Sequence, residues 1–122
     1  MHEFSICQSI VDTVISEYDK ISPKPDRLLK VNIRVGRLHQ IITESLEMAY
    51  EVLTKDTIAE NSALVIHFQE IICLCRQCGW QGSIDYPFFL CKQCNSGDIT
   101  VTSGKELYLE NLEVEYDDTT KY

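Results

Sequence analysis

No stretch of this chain approaches the roughly 18 consecutive apolar residues that a membrane-spanning helix needs. Its first residues also lack the basic head and unbroken apolar run of a secretory signal, carrying Glu3 and Asp12 instead. These absences predict a cytoplasmic protein with no membrane partner. Positive charge is scarce as well: 11 basic residues stand against 19 acidic ones, a formal net charge of −8. Such a chain repels phosphate backbones, so nucleic acid is not an expected partner, whereas metal cations and proteins with basic faces are. Repeats and low-complexity tracts are missing too. The 122 residues therefore read as one compact domain, or one domain carrying a small metal-stabilised module.

What is present divides into periodic segments. From Ser5 to Tyr18, Cys7, Ile10, Val11, Val14, Ile15 and Tyr18 recur at three- and four-residue steps, one stripe of an amphipathic helix, and Ser5 with Gln8 has capping-box spacing at its start. Pro23 and Pro25 in "SPKPD" end that pattern, because neither has an amide proton to give. Leu29, Val31, Ile33 and Val35 then alternate with polar residues up to Gly36, a half-buried strand. Thr43 caps and Glu44 opens a second helix with Leu46, Ala49, Tyr50 and Leu53 on one face. Leu64, Ile66 and Phe68 form one side of a further strand, and Leu107, Leu109, Leu112 and Val114 mark a late one. The expected fold is α+β: a small, mostly antiparallel sheet with two helices on one face. A protruding, zinc-ribbon-like four-cysteine module is inserted between two strands that could pair as neighbours. The boundaries are residues 1–69 together with 106–122 for the main domain, and 70–105 for the module.

The six cysteines carry the most specific signal. Cys75, Cys78, Cys91 and Cys94 are spaced C-x2-C-x12-C-x2-C, and each pair lets two thiolates converge on one ion while the intervening residues return as a hairpin. The spacing fits structural Zn²⁺; a rubredoxin-like iron site uses the same ligands and stays open. A thioredoxin-type dithiol needs one such pair in a βαβ context, whereas two are present. Four sulfurs leave no coordination position free, so the ion holds structure rather than activating water, and a hydrolase is not expected. A deaminase would need H-x-E, and neither His2-Glu3 nor His67-x-x-Glu70 fits. Cys7 on the helix stripe and Cys73 in an apolar run read as small buried hydrophobes.

A second metal-binding possibility lies at the opening "MHE". A free α-amino group on Met1, the His2 amide nitrogen and His2 Nδ1 can wrap an ion in a five-membered and then a six-membered ring. Coplanar nitrogens suit Ni²⁺ or Cu²⁺, and Glu3 could add its backbone or carboxylate. On these residues alone, His2 reads equally as a surface residue and Glu3 as a complement to the helix dipole. His39, in a loop after the first strand, and His67, opposite Ile66 and Phe68, read as solvated or edge residues.

Taken in order, "MHE-x-S" opening a helix, "VGRL" ending a strand, "LEMAYEVL" in a helix, the two C-x2-C pairs and a late "GKELYLENLEVE" resemble the hydrogenase nickel-incorporation family HypA/HybF, over nearly the whole chain. The resemblance implies a non-enzymatic nickel metallochaperone. It implies Ni²⁺ as transferable cargo at Met1, His2 and Glu3, and structural Zn²⁺ at Cys75, Cys78, Cys91 and Cys94. It implies the GTPase HypB and the large subunit of NiFe hydrogenase as partners, with urease maturation proteins in some members. The sequence departs from many members in having C-K-Q-C-N at the second pair and a fifth nearby thiol, Cys73. The rival reading is a zinc-ribbon interaction or nucleic-acid-binding module without nickel chemistry. Its stacking residues would be Trp80, Tyr86, Phe88 and Phe89.

Overall fold

The computed structural model describes residues 3–117, which form two α-helices and six strands in the order α1 (Glu3–Asp19), β1 (Arg27–Gly36), α2 (Thr43–Leu53), β2 (Ala63–Gln69), β3 (Ile71–Cys75), β4 (Gln81–Ile84), β5 (Ile99–Ser103) and β6 (Leu107–Glu115). This is an α+β fold with two three-stranded sheets, β2-β1-β6 and β4-β3-β5. Two compact units result. One comprises the residues up to Ile33, Ile41–His67 and those from Tyr108 onward; the other comprises Arg34–Gln40 and Phe68–Leu107.

In the first unit the stripe of α1 buries Cys7, Ile10, Val11, Val14 and Tyr18, and α2 buries Leu46, Ala49 and Tyr50. The two helices pack on each other, with the Cys7 thiol directed at the Leu46 carbonyl at 3.9 Å. After α1 the chain turns through the prolines, and Tyr18 Oη donates to the Pro25 carbonyl at 2.9 Å, which ties the turn to the end of the helix.

Four local expectations are corrected. Ser5 lies inside α1, whose described span is Glu3–Asp19, and so is not its cap. Thr43 is the first residue of α2, not its cap; Ile42 holds that position, with no side-chain capping bond of its own. The amide of Ile42 instead donates to the Glu3 carboxylate, a partner 39 residues away that helical spacing cannot reveal. In β1 the buried apolar side chains are Leu28, Val31, Ile33 and Val35, with Leu29 exposed, so the alternation changes phase between Leu28 and Val31. Finally, β2 and β6 do not pair as neighbours, because β1 lies between them. β1 and β6 run antiparallel, as the bonds from Asp26 N to Glu115 O and from Gly36 N to Glu106 O show. β1 is the longest strand of the sheet at 10 residues and takes a partner on each edge, and its buried Asn32 finds hydrogen-bond partners on both neighbours.

Asn32 is the polar hub of that sheet. It is buried in β1 and donates from Nδ2 to Asn111 Oδ1 and Glu113 Oε2, each at 2.8 Å, while its Oδ1 lies 3.0 Å from His67 Nε2. Since the amide nitrogen faces a carboxylate, its oxygen faces the ring, and His67 Nε2 must donate. All three strands of the sheet are thus pinned through one side chain.

In the second unit, β3 pairs antiparallel with both β4 and β5. Ile71, Cys73 and Ile84 form its core, covered by Leu38, Trp80, Phe89, Ile99 and Val101. Gly36 and Gly104 permit a close backbone crossing: a Cβ at Gly36 would lie 2.0 Å from the Gly104 carbonyl oxygen, and one at Gly104 would lie 2.9 Å from Ile71 Cα. Gly104 also has φ +116, a conformation reserved in practice for glycine.

Candidate metal centre

Each cysteine pair sits on a tight turn leading out of one short segment. Cys75 ends β3, and its backbone accepts from Gly79 N at 3.0 Å, folding Arg76–Cys78 into a knuckle. Cys91 opens the second knuckle, its carbonyl accepting from Asn95 N at 2.9 Å; Asn95 has positive φ, which its short polar side chain tolerates. Amides inside the knuckles point at the sulfurs. Cys78 N donates to Cys75 Sγ at 3.4 Å, and Gln93 N and Cys94 N both donate to Cys91 Sγ at 3.3 Å.

These turns bring all four thiols together, with every sulfur within 4.8 Å of the others. Cys75 and Cys94 are 3.7 Å apart, and Cys78 and Cys91 3.5 Å. A tetrahedral ion with metal–sulfur bonds of about 2.3 Å spaces its ligands about 3.8 Å from one another. A disulfide would need about 2.05 Å. The donor set therefore fits a tetrahedral thiolate-bound ion, and it is the one such cluster among the described residues.

The electrostatics favour thiolate at the first cysteine of each pair. Hydrogen bonding to the Cys78 amide lowers the Cys75 thiol against the cost of burial. Burial alone would raise Cys91, but the amides of Cys94 and Gln93 outweigh it and bring the thiol down to about 6. Cys75 and Cys91 are buried while Cys78 and Cys94 are exposed, so one edge of the centre meets solvent and the other meets β3. This asymmetry is not visible in the spacing.

The other two cysteines stay outside the cluster. Burial raises the Cys73 thiol in the core of the second unit, and raises Cys7 to about 11 between the helices; both are core residues. His39 is exposed, and its Nε2 donates to the Lys105 carbonyl at 2.9 Å. His67 belongs to the Asn32 network. Of the predicted nickel ligands, Met1 and His2 lie outside the described residues. Glu3 is buried in the first turn of α1, and its Oε2 accepts from Ile42 N at 3.0 Å. Helical spacing gives no sign of that bond, because its two partners are 39 residues apart. Among the described residues, no helix is long and apolar enough to cross a membrane.

The family model for hydrogenase/urease nickel incorporation, the metallochaperone HypA, matches residues 1–114. A hydrogenase maturation factor HypA from Solidesulfovibrio magneticus is 38% identical over 119 residues, covering 94% of this chain and all of the relative (100%). The HypA of Desulfosudis oleivorans is 33% identical over 114 residues, covering 93% and 98% respectively. Among solved structures, the Ni metallochaperone HypA from Helicobacter pylori superposes with a TM-score of 0.63 at 20% identity, over 96% of this chain and 100% of that one. At that identity the likeness shows the fold alone.

Proposed function

Because the chain belongs to the HypA family of nickel-incorporation metallochaperones that serve hydrogenase maturation, and is not a catalytic enzyme, we propose that it carries Ni²⁺ at its amino terminus and hands it to a maturing NiFe hydrogenase. The observation that carries this reading is a family match that begins at residue 1 and so includes Met1-His2-Glu3. In this reading Met1 supplies its amine, and His2 its amide and Nδ1. Glu3, whose carboxylate is engaged by Ile42, contributes through its backbone. A site built on one chain end can be dismantled ligand by ligand as a partner takes over. Protonation of His2 and the α-amine, with ordinary pKa values of about 6.5 and about 7.7–8.0, opposes loading in acid.

Cys75, Cys78, Cys91 and Cys94 hold structural Zn²⁺ in this reading, closing a module over residues 70–105 while residues 1–69 with 106–122 handle nickel. Zn²⁺ is the better fit of the two tetrahedral ions because a structural role needs no redox change. The partners are the GTPase HypB and the hydrogenase large subunit, with urease maturation proteins as further recipients, in the cytoplasm.

Nickel titration of zinc-loaded protein with its natural amino terminus tests the proposal. One Ni²⁺ should bind per chain, His2→Ala should abolish binding, and a Gly-Ser extension ahead of Met1 should weaken it nearly as much with zinc content unchanged. Native nickel affinity in the extended protein would remove the amine from the ligand set.

A further inference from the structure

The outward face of α2 is built from two adjoining rows. Glu44, Met48 and Val52 follow one another at four-residue steps, and Glu47 and Glu51 do the same beside them, with Lys55 just past the helix end. The inward face, with Leu46, Ala49 and Tyr50, already supplies the helix's packing. The outward apolar side chains are therefore surplus to the core, yet they are large and open: Met48 is 69% exposed, Val52 60%, and Ile42 at the head of the helix 56%.

The charge on this face is equally unspent. Among the described residues, none of Glu44, Glu47 and Glu51 takes part in an ion pair, although the acidic residues Glu17, Asp19, Glu70, Asp98 and Glu115 all do. The acidic row also borders a cleft of about 440 Å³ whose walls include Glu47, Glu51, Glu60 and Lys55. Three carboxylates face one ammonium there. The cleft has room for a long basic side chain, whose charge would offset the excess. The second unit holds only Glu70, Asp85, Asp98 and Glu106 of the acidic residues, against Arg34, Arg37, Arg76, Lys92 and Lys105. The net negative charge of the chain thus belongs to the unit that contains α2.

From this we infer that the outer face of α2 is the docking surface for a protein partner that presents lysine or arginine side chains beside an apolar strip. Met48 and Val52 fill the strip, methionine being able to adapt to an irregular surface. Glu47 and Glu51 receive the basic side chains. A second copy of this chain would bring the same carboxylates face to face, so the charge disfavours it. Ile42, which heads this face, is bonded to Glu3. A partner seated on α2 is therefore beside the first turn of α1. This inference rests on the proposed role in handing nickel to a protein, and it adds the surface on which a partner with a basic face docks.

The test uses full-length, zinc-loaded protein with its natural amino terminus, titrated with the purified maturation GTPase and, separately, with the purified hydrogenase large-subunit precursor. Glu47→Lys with Glu51→Lys should weaken binding to at least one of them by about tenfold or more and flatten its dependence on salt. Met48→Ser with Val52→Ser should weaken it comparably without changing the salt dependence. Asp12→Lys with Glu17→Lys, the same change of charge on exposed residues of α1, should leave affinity close to native. Zinc and nickel counts should be unchanged in every variant, so loss of the nickel reading would show as a missing nickel equivalent in the native protein and not as an altered partner affinity. The inference is overturned if neither protein binds the native chain, or if both α2 variants bind as tightly as native. It is also overturned if sedimentation shows a dimer that Met48→Ser with Val52→Ser dissolves.

Discussion

The Glu3 carboxylate accepts a 3.0 Å hydrogen bond from the backbone N–H of Ile42, joining the first turn of α1 to the cap of α2. An amide at a helix start has no partner within its own helix, and here another helix supplies it. Glu3 also places a negative charge at the positive end of α1. One residue therefore serves both helix starts.

Replacing Glu3 by alanine is expected to lower the melting temperature by a few degrees and to speed amide exchange at Ile42. Glu3→Gln keeps an acceptor oxygen and should restore most of the protection at Ile42. Equal exchange rates at Ile42 in the native and alanine forms would show that the bond does not hold the helices together.

Asn32 offers a sharper perturbation, because its donors and acceptor are all used. Asn32→Asp replaces a donor with a carboxylate facing Glu113, and should destabilise the fold by roughly 1–3 kcal/mol in urea unfolding. Adding Glu113→Gln to that variant returns a donor and should recover part of the loss. A double variant no more stable than Asn32→Asp would contradict the network.

At Gly36 the obstruction is steric. A methyl group 2.0 Å from the Gly104 carbonyl oxygen forces two backbone segments apart, so Gly36→Ala should cost roughly 1–3 kcal/mol or more. The bonds from Leu38 N to Gly104 O and from Gly36 N to Glu106 O should lose exchange protection first. A variant as stable as native would mean that this crossing is looser than the geometry shows.

The metal centre should hold one zinc per chain, falling to near zero in Cys91→Ala, with loss of order in the module and little change in the helices. A segment of this size has too small a core to fold without its ion. Zinc retained in full by Cys91→Ala would call for another ligand, for which Cys73 is the nearest thiol in sequence.

Acid should release that metal. The Cys91 thiol lies at about 6, below its ordinary value near 9, so its thiolate form favours the folded knuckle above 9 and the advantage is lost as pH falls through about 6. Zinc transfer to a chromogenic chelator, followed from pH 8 to pH 4, should stay slow near neutrality and accelerate as the pH falls, because protons compete with the ion for all four thiolates. A rate independent of pH across that range would contradict a thiolate-held ion.

The parts legible in the sequence are those governed by short-range chemistry. The stripe from Cys7 to Tyr18 and the face of Leu46, Ala49 and Tyr50 follow from helical periodicity. The meeting of Cys75 and Cys78 with Cys91 and Cys94 follows from the reach of two knuckles and a hairpin. The phase change at Leu28 and the place of Ile42 at the cap of α2 were not legible: the first shows only as burial in the folded sheet, and the second has its amide bonded to Glu3, 39 residues away. The division of the four thiols into a buried pair and an exposed pair was not legible either, because burial is set by the packing of the whole unit around the knuckles.

By itself, then, the sequence determined the element types, the thiol set and the family, since local periodicity, ligand spacing and ordered motifs each act over a few residues at a time. The tertiary structure alone decided that β1 separates β2 from β6, that Glu3 is committed to Ile42, that Asn32 spans three strands, and that Met48 and Val52 remain uncovered. These are choices of partner between residues tens of positions apart, and hydrogen-bond satisfaction and burial select such partners only when the whole chain has folded.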